Sequence, residues 1–258
     1  MCLSLIGTFG VCQNIAFEFS ESFNFGSSDP LGHFYLVKDE QIRKIDSLGK
    51  TLYSYSNPGL GKIFSIDTSD PFRILLYYKP FNQIILLDRT LSSIGDPIEL
   101  DELDVFSIAG ICRAKQGGFW LIDPNNNSLL HLDNNLDIKT KVLISGLNIG
   151  NEDQWFPMLE WKEGLYVCEP GQKLMLFDLF GKQIKSIPVK ANKIFSLDKN
   201  IIFSGDQELH IYQNYPSALV GLLHLNIPKW KQIIISKNHA LIERNSGWFL
   251  YRIKKTRD

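Results

Sequence analysis

The sequence predicts an all-β fold, a six-bladed β-propeller, and three observations carry that prediction. First, a strand–turn–strand unit recurs along the 258 residues at intervals of about 35 to 45 residues, the period of a propeller blade. Second, each unit is preceded by a further short apolar segment that supplies an innermost strand. Third, a segment near the N-terminus with period-two apolar spacing at Ile15, Phe17 and Phe19 is a natural outer strand for the last unit. The physical reason for a ring is that a lone four-stranded sheet has two exposed faces. Stacking such sheets radially buries both and leaves only short edges.

Length allows one large all-β domain or two ordinary ones, and the repeat selects one. A hydrophobic fraction of 44%, with 12% aromatic residues, is ample for a core. With 27 basic against 28 acidic residues there is no global field to attract nucleic acid. The one basic cluster, Lys254, Lys255 and Arg257, reads as a solvated tail. No apolar stretch approaches the roughly 20 residues that span a bilayer.

In chain order, residues 1–12 are apolar and small, resembling the core and cleavage site of a secretory signal with Gly10 and Cys12 at the −3 and −1 positions. No Lys or Arg precedes the run, so a leader with its start placed too late and a simple first strand both stay open. Export is the expectation, with residues 13–258 forming the single propeller domain. Lipidation of Cys12 stays open, with Val11 a poor fit before it. Cys112 and Cys168 lie in apolar strand sequence, where a free cysteine is usually a small buried hydrophobe. Whether they are bonded to each other cannot be read from spacing.

The first unit, residues 32–46, is followed by the turn 47–50 and a strand over 51–56. The second is 72–88, with its turn at Lys79 to Asn82. The third, 117–138, is the clearest: the run Phe119 to Ile122, turn formers from Asp123 to Ser128, and the run Leu129 to Leu132. Its Trp120 is expected between blades. The fourth is 164–178, leading through 179–182 into 183–189. The fifth is 201–213 and the sixth 239–252. Inner strands are expected at 23–25, 63–66, 105–108, 156–159, 194–197 and 233–236. Three of these share an apolar-Phe-Ser-apolar cell, whose small serines relieve crowding near the axis.

The pattern at 119–133 and 165–178, an apolar strand, a polar turn, then apolar-x-apolar-Asp, resembles the repeat of NHL-type and TolB-like six-bladed propellers. The Asp-x-x-Gly turn that usually follows is present at Asp178 to Gly181, while Leu136 replaces the glycine after Asp133. Residues 69–94 are similar to envelope propellers of Bacteroidota, which implies export and carries no function.

Two functional readings follow. Propellers resembling gluconolactonases hold calcium on the axis with acidic oxygen ligands. Among the inner-strand ends Asp67, Asp104, Glu160 and Asp198, the best matches are Asp67 and Asp198, which follow the Phe-Ser-apolar cell. The histidines His33, His131, His210, His224 and His239 show no metal-binding pairing, and no nucleophile elbow or phosphate-cradling loop appears. The second reading rests on residues 150–157, a polar-then-aromatic loop in which Asp153, Trp155 and Phe156, with Trp161 beyond, form a binding patch on one face. The expectation carried forward is a non-enzymatic, exported propeller, periplasmic or outer-membrane-associated and monomeric on its own. It binds a protein or glycan partner through loops of one face, alone or within an envelope assembly, and needs no cofactor. The alternative is a lactonase-like hydrolase with an axial metal.

Overall fold

The computed structural model of the chain describes residues 9–149, 154–162, 164–197, 200–205, 208–213, 218–222, 229–245 and 247–255. Strand β1 (Phe9–Phe19) comes first in the chain and belongs to the last blade. Blade 1 is β2 (Phe25–Ser28), β3 (Phe34–Lys38), β4 (Gln41–Ile45) and β5 (Thr51–Ser56), and blade 2 is β6 (Ser65–Asp67), β7 (Ile74–Tyr78), β8 (Gln83–Leu87) and β9 (Ile98–Glu99). Blade 3 is β10 (Gly110–Arg113), β11 (Phe119–Asp123), β12 (Ser128–Leu132) and β13 (Ile138–Leu143). Blade 4 is β14 (Met158–Trp161), β15 (Gly164–Glu169), β16 (Lys173–Phe177) and β17 (Gln183–Ile187). Blade 5 is β18 (Lys193–Leu197), β19 (Asn200–Gly205), β20 (Glu208–Gln213) and β21 (Ala218–Leu222). Blade 6 is β22 (Gln232–Ser236), β23 (His239–Arg244) and β24 (Gly247–Lys255), completed by β1. Every neighbouring pair is antiparallel, so the architecture is the six-bladed propeller the repeat predicts.

Continuous apolar runs form the second strands because those strands are buried on both faces. In β3 the alternate residues Phe34 and Leu36 pack with Ile234, Leu241 and Trp248 of blade 6, while Tyr35 and Val37 pack with Ile74, Leu76 and Tyr78 of blade 2. The same division repeats around the ring, giving six apolar clusters for six seams. Trp120 lies where expected, 1% exposed in the seam between blades 3 and 4.

The third-to-fourth-strand turns share one device. Asp46 Oδ1 accepts from the amides of Leu48 and Lys50, and Asp88, Asp133 and Asp178 make the equivalent pairs. The fourth turn residue is left-handed in all of these, with Gly49 and Gly181 at φ 83° but Leu91 at 62° and Leu136 at 69°. The missing glycine therefore does not abolish the turn. The aspartate cap holds it, and leucine accepts a conformation that costs about 1 to 2 kcal/mol.

Serine and threonine hydroxyls near the axis stitch inner strands together. Ser27 Oγ meets Thr68 Oγ1 at 2.8 Å, and Ser28 Oγ donates to the Ile235 carbonyl at 2.8 Å. Ser236 Oγ donates to the Asp29 carbonyl at 3.2 Å. Blades 6, 1 and 2 are thus hydrogen-bonded across their seams, and the edge is closed by β1 on β24, with Phe19 opposite Trp248 and Phe9 opposite Lys255.

Several local expectations shift, and the inner strands β2, β6 and β14 each start two residues later than expected, at Phe25, Ser65 and Met158. The pairing with β24 begins at Phe9, so residues 9–12, read above as part of a leader, lie in strand β1. In blade 3 the inner strand is Gly110–Arg113 rather than 105–108, because the 3₁₀ turn Leu100–Leu103 and left-handed Asp104 (φ 57°) delay the chain's arrival at the sheet. Val105 and Ile108 are buried there while Phe106 is exposed, so one Phe-Ser cell is a loop. Strand β9 has two residues, since Pro97 has no N–H to offer a ladder. Cys112 and Cys168 are both free and buried, in different seams.

Candidate functional site at the channel mouth

Every blade begins at the axis with the same strand direction, so inner strands enter on one face of the ring and leave on the other. The entry face also carries the turns between second and third strands. Phe64 precedes β6, Trp155 precedes β14, and the 3₁₀ turn Lys79–Phe81 joins β7 to β8. These elements bring four side chains together. The Tyr77 and Trp155 rings stack at 5.7 Å, Phe64 meets Trp155 edge-on at 4.9 Å, and Lys79 Nζ sits 5.2 Å over Phe64.

The cluster is held from behind. The Tyr77 hydroxyl donates to Asn82 Oδ1 at 3.0 Å, and Asn82 Nδ2 donates to Asp101 Oδ1 at 2.5 Å and to the Val105 carbonyl at 2.6 Å. Burial, with the Asp101 charge behind it, pushes the Tyr77 phenol above its usual range, so it stays a neutral donor. Asn82 reaches these partners from a left-handed backbone (φ 49°). The loop before blade 3 is thereby fastened to the turn of blade 2, and Phe81 and Phe106 flank that joint. On this face Phe64, Phe81 and Phe106 are 36%, 50% and 65% exposed. Beneath them lies an axial cavity of about 300 Å³, whose wall includes Phe25, Ile66, Trp155, Ile194 and Phe195.

The residues picked from the sequence are dispersed by the fold. Trp155 belongs to the cluster just described. Phe156 is 0% exposed and packs in the core between blades 3 and 4, its amide donating to the Ala109 carbonyl, so it offers no surface to a partner. Trp161 ends β14, about 20 Å beyond Trp155 at strand rise, and faces the opposite side of the ring. The proposed patch of Trp155, Phe156 and Trp161 is therefore a mouth residue, a core residue and an opposite-face residue. Asp153 and Asp198 lie outside the described residues.

Asp67 does stand at the axial cavity, yet its carboxylate is occupied: Oδ2 accepts from the Arg113 amide at 2.7 Å and Oδ1 from the Ser69 amide at 2.7 Å. Glu160 is 5% exposed and accepts from Trp120 Nε1 at 2.6 Å and the Lys115 amide at 3.1 Å. Both acids fasten strands. Among the described residues no three His, Cys, Asp or Glu side chains come close enough to share a metal ion. The members that sequence reasoning missed, Phe64, Tyr77, Asn82 and Phe106, had one available signal. The turn 79–82 and the acidic run 101–104 each lead into apolar segments of the same face.

The architecture defines a class, the six-bladed β-propeller, and comparisons agree with it. A streptogramin B lyase structure is 14% identical, with a TM-score of 0.59 over 93% of this chain and 87% of that one. A Bacteroides caccae protein of unknown function is 12% identical, TM-score 0.54, over 80% and 83%. BBS1N, in its complex with ARL6DN, is 13% identical, TM-score 0.57, over 87% and 75%. At such identities the likeness is one of fold. No family model and no curated protein matches the chain.

Proposed function

We propose that the protein is an exported, non-enzymatic propeller, monomeric on its own, that binds a protein partner through the entry face around Phe64, Phe106 and Trp155. One observation carries this reading. Phe64, Phe81 and Phe106 stand exposed on the entry face, Phe64 packs edge-on against Trp155, and a buried hydrogen-bonded chain through Tyr77, Asn82 and Asp101 backs them. Exposed apolar side chains gathered on one face mark interaction sites, and rigid aromatics are favoured anchors because little side-chain entropy is lost when they are covered. A propeller neighbour, BBS1N, was crystallised in complex with another protein, ARL6DN, which supports a protein occupant over a glycan. Export rests on the apolar N-terminal sequence and the similarity of residues 69–94 to envelope propellers.

The test is affinity capture with crosslinking from native envelope, using the wild type beside Phe106→Asp and Trp155→Ala. A protein retained by the wild type and lost by both variants supports the assignment. Equal capture by all three chains overturns it, as does retention on immobilised glycans with no protein partner.

A further inference from the structure

On the exit face, between the first-to-second-strand loops of blades 2, 3 and 4, lies a second cavity of about 520 Å³, a size that holds small molecules. Its wall contains two donors without acceptors. Arg113, the last residue of β10, is 5% exposed, and its Nε is enclosed with no hydrogen-bond partner. The guanidinium carbon lies 5.1 Å from the Phe119 ring, and the carboxylates of Asp67 and Asp70 place opposing charge nearby without forming a close ion pair with it. Trp161, at the end of β14, likewise buries an unpartnered Nε1 in the same wall. Buried donors are normally satisfied, and an Nε–H left bare in a seam is costly unless something supplies oxygen.

Further cations stand nearby. Lys115 stands in the wall with its Nζ 4.8 Å over the Trp161 ring, and Arg73 is the third cation. Two acids also line the space, but Glu160 has its oxygens on the Trp120 and Lys115 nitrogens, and Asp70 Oδ1 caps the Phe72 amide at 2.9 Å. Gln116, Asn134, Ser69 and Ser196 add groups suited to hydroxyls, while Trp161 and Phe72 supply ring surface. A fork-shaped cation, further positive charge, hydroxyl-binding side chains and aromatic rings together match a sugar that carries a carboxylate.

We propose that this cavity is a binding site for an acidic sugar of the uronic acid class, with Arg113 taking the carboxylate. The site lies on the face opposite the proposed protein-binding surface and does not depend on it. Calorimetric titration of the full chain with glucuronate, glucose and inorganic phosphate tests it, alongside Arg113→Gln and Lys115→Gln. Saturable binding of glucuronate is expected, absent for glucose. It should weaken by at least about tenfold in Arg113→Gln, the loss of a charged hydrogen bond, and by a smaller factor in Lys115→Gln, whose side chain lies nearer the surface. Thermal unfolding establishes that each variant is folded, and Lys115→Gln provides the reading should Arg113→Gln fail to fold. No saturable glucuronate binding, equal binding of phosphate, or unchanged affinity in the folded variants overturns the assignment.

Discussion

Replacing Trp120 tests the ring of seams and the polar joint within one of them. The side chain is 1% exposed, packs among Cys112, Met158, Leu165 and Val167, stacks on His131 at 4.5 Å, and donates Nε1–H to Glu160 Oε2 at 2.6 Å. A buried indole removes roughly 200 Å² or more from water, and at about 25 cal/mol per Å² that is about 5 kcal/mol. Truncation to Ala should therefore cost about 3 to 5 kcal/mol, the range for large aromatic deletions. Stranding one Glu160 oxygen adds about 1 to 3 kcal/mol. Since a domain is stable by only about 5 to 15 kcal/mol, Trp120→Ala approaches global unfolding. Trp120→Phe keeps most of the ring and loses the donor, so it should cost about 2 kcal/mol. Combining it with Glu160→Ala in a double-mutant cycle should show that the two losses overlap. Urea unfolding followed by far-UV circular dichroism measures all five chains, the wild type included. If Trp120→Ala costs under about 1 kcal/mol, the residue does not bear the seam and the reasoning fails.

Three further outcomes follow from the same structure. In Gly49→Ala the added Cβ would sit 2.4 Å from Phe17 Cγ at φ 83°, whereas at Gly95, φ 70°, nothing lies within 4 Å; both variants carry the strain of a side chain at positive φ, about 1 to 2 kcal/mol, and Gly49→Ala should lose more, with equal urea midpoints arguing against the β1 packing. A chain starting at Ser20 exposes the β24 edge and should melt at least about 5 °C lower and aggregate on heating, and an unchanged melting curve would mean that β1 is no latch. Burial lowers the Lys193 amine to about 8, where its Nζ donates to Gln232 Oε1 at 2.5 Å. Between that pH and the unfolded lysine value near 10.5 the unfolded chain binds more protons, so stability rises with pH, by at most about 3 kcal/mol. Above about pH 10, Tyr35, Tyr77 and Tyr78, raised mainly by burial, reverse the slope because the folded state then holds more protons. Lys193→Met should abolish the rise, and an identical pH profile in the variant would refute the assignment.

The number of blades was legible because it depends on quantities that a sequence displays directly. The runs 119–122 and 165–168 are apolar at every position, and only a strand covered on both faces tolerates that. Asp46, Asp88, Asp133 and Asp178 mark the same outer corner each time, since a carboxylate that caps two amides fixes a turn even where leucine stands for glycine. The ring closure was legible from the apolar Ile15, Phe17 and Phe19, although β1 departs from strict alternation, its register shifting between Ile15 and Phe17 with both side chains exposed. The inner strand of blade 3 escaped because Val105 and Ile108 are buried as loop residues. Burial alone leaves the same apolar trace whether or not a ladder forms.

The candidate site was harder to read, and the reason is geometric. A propeller residue has a radial address, set by which strand holds it, and an axial address, set by how far along that strand it lies. Apolar patterning reports the first, since it separates buried second strands from half-exposed outer ones. The axial address depends on where each inner strand begins, and one residue of error moves a side chain about 3.3 Å and turns it to the other face of the sheet. Residues 155–161 show the consequence. Trp155 and Trp161 look like one aromatic patch in sequence, but β14 runs through the ring between them, placing the first beside Phe64 and the second beside Lys115, with Phe156 buried at the blade 3–4 seam. Conversely, Trp155 is far along the chain from Phe64 and Tyr77 and meets them only because blades 2 and 4 present the same axial level to one mouth. Function in such a ring is therefore assembled by level, across blades, and the sequence shows levels only after the strand starts are known.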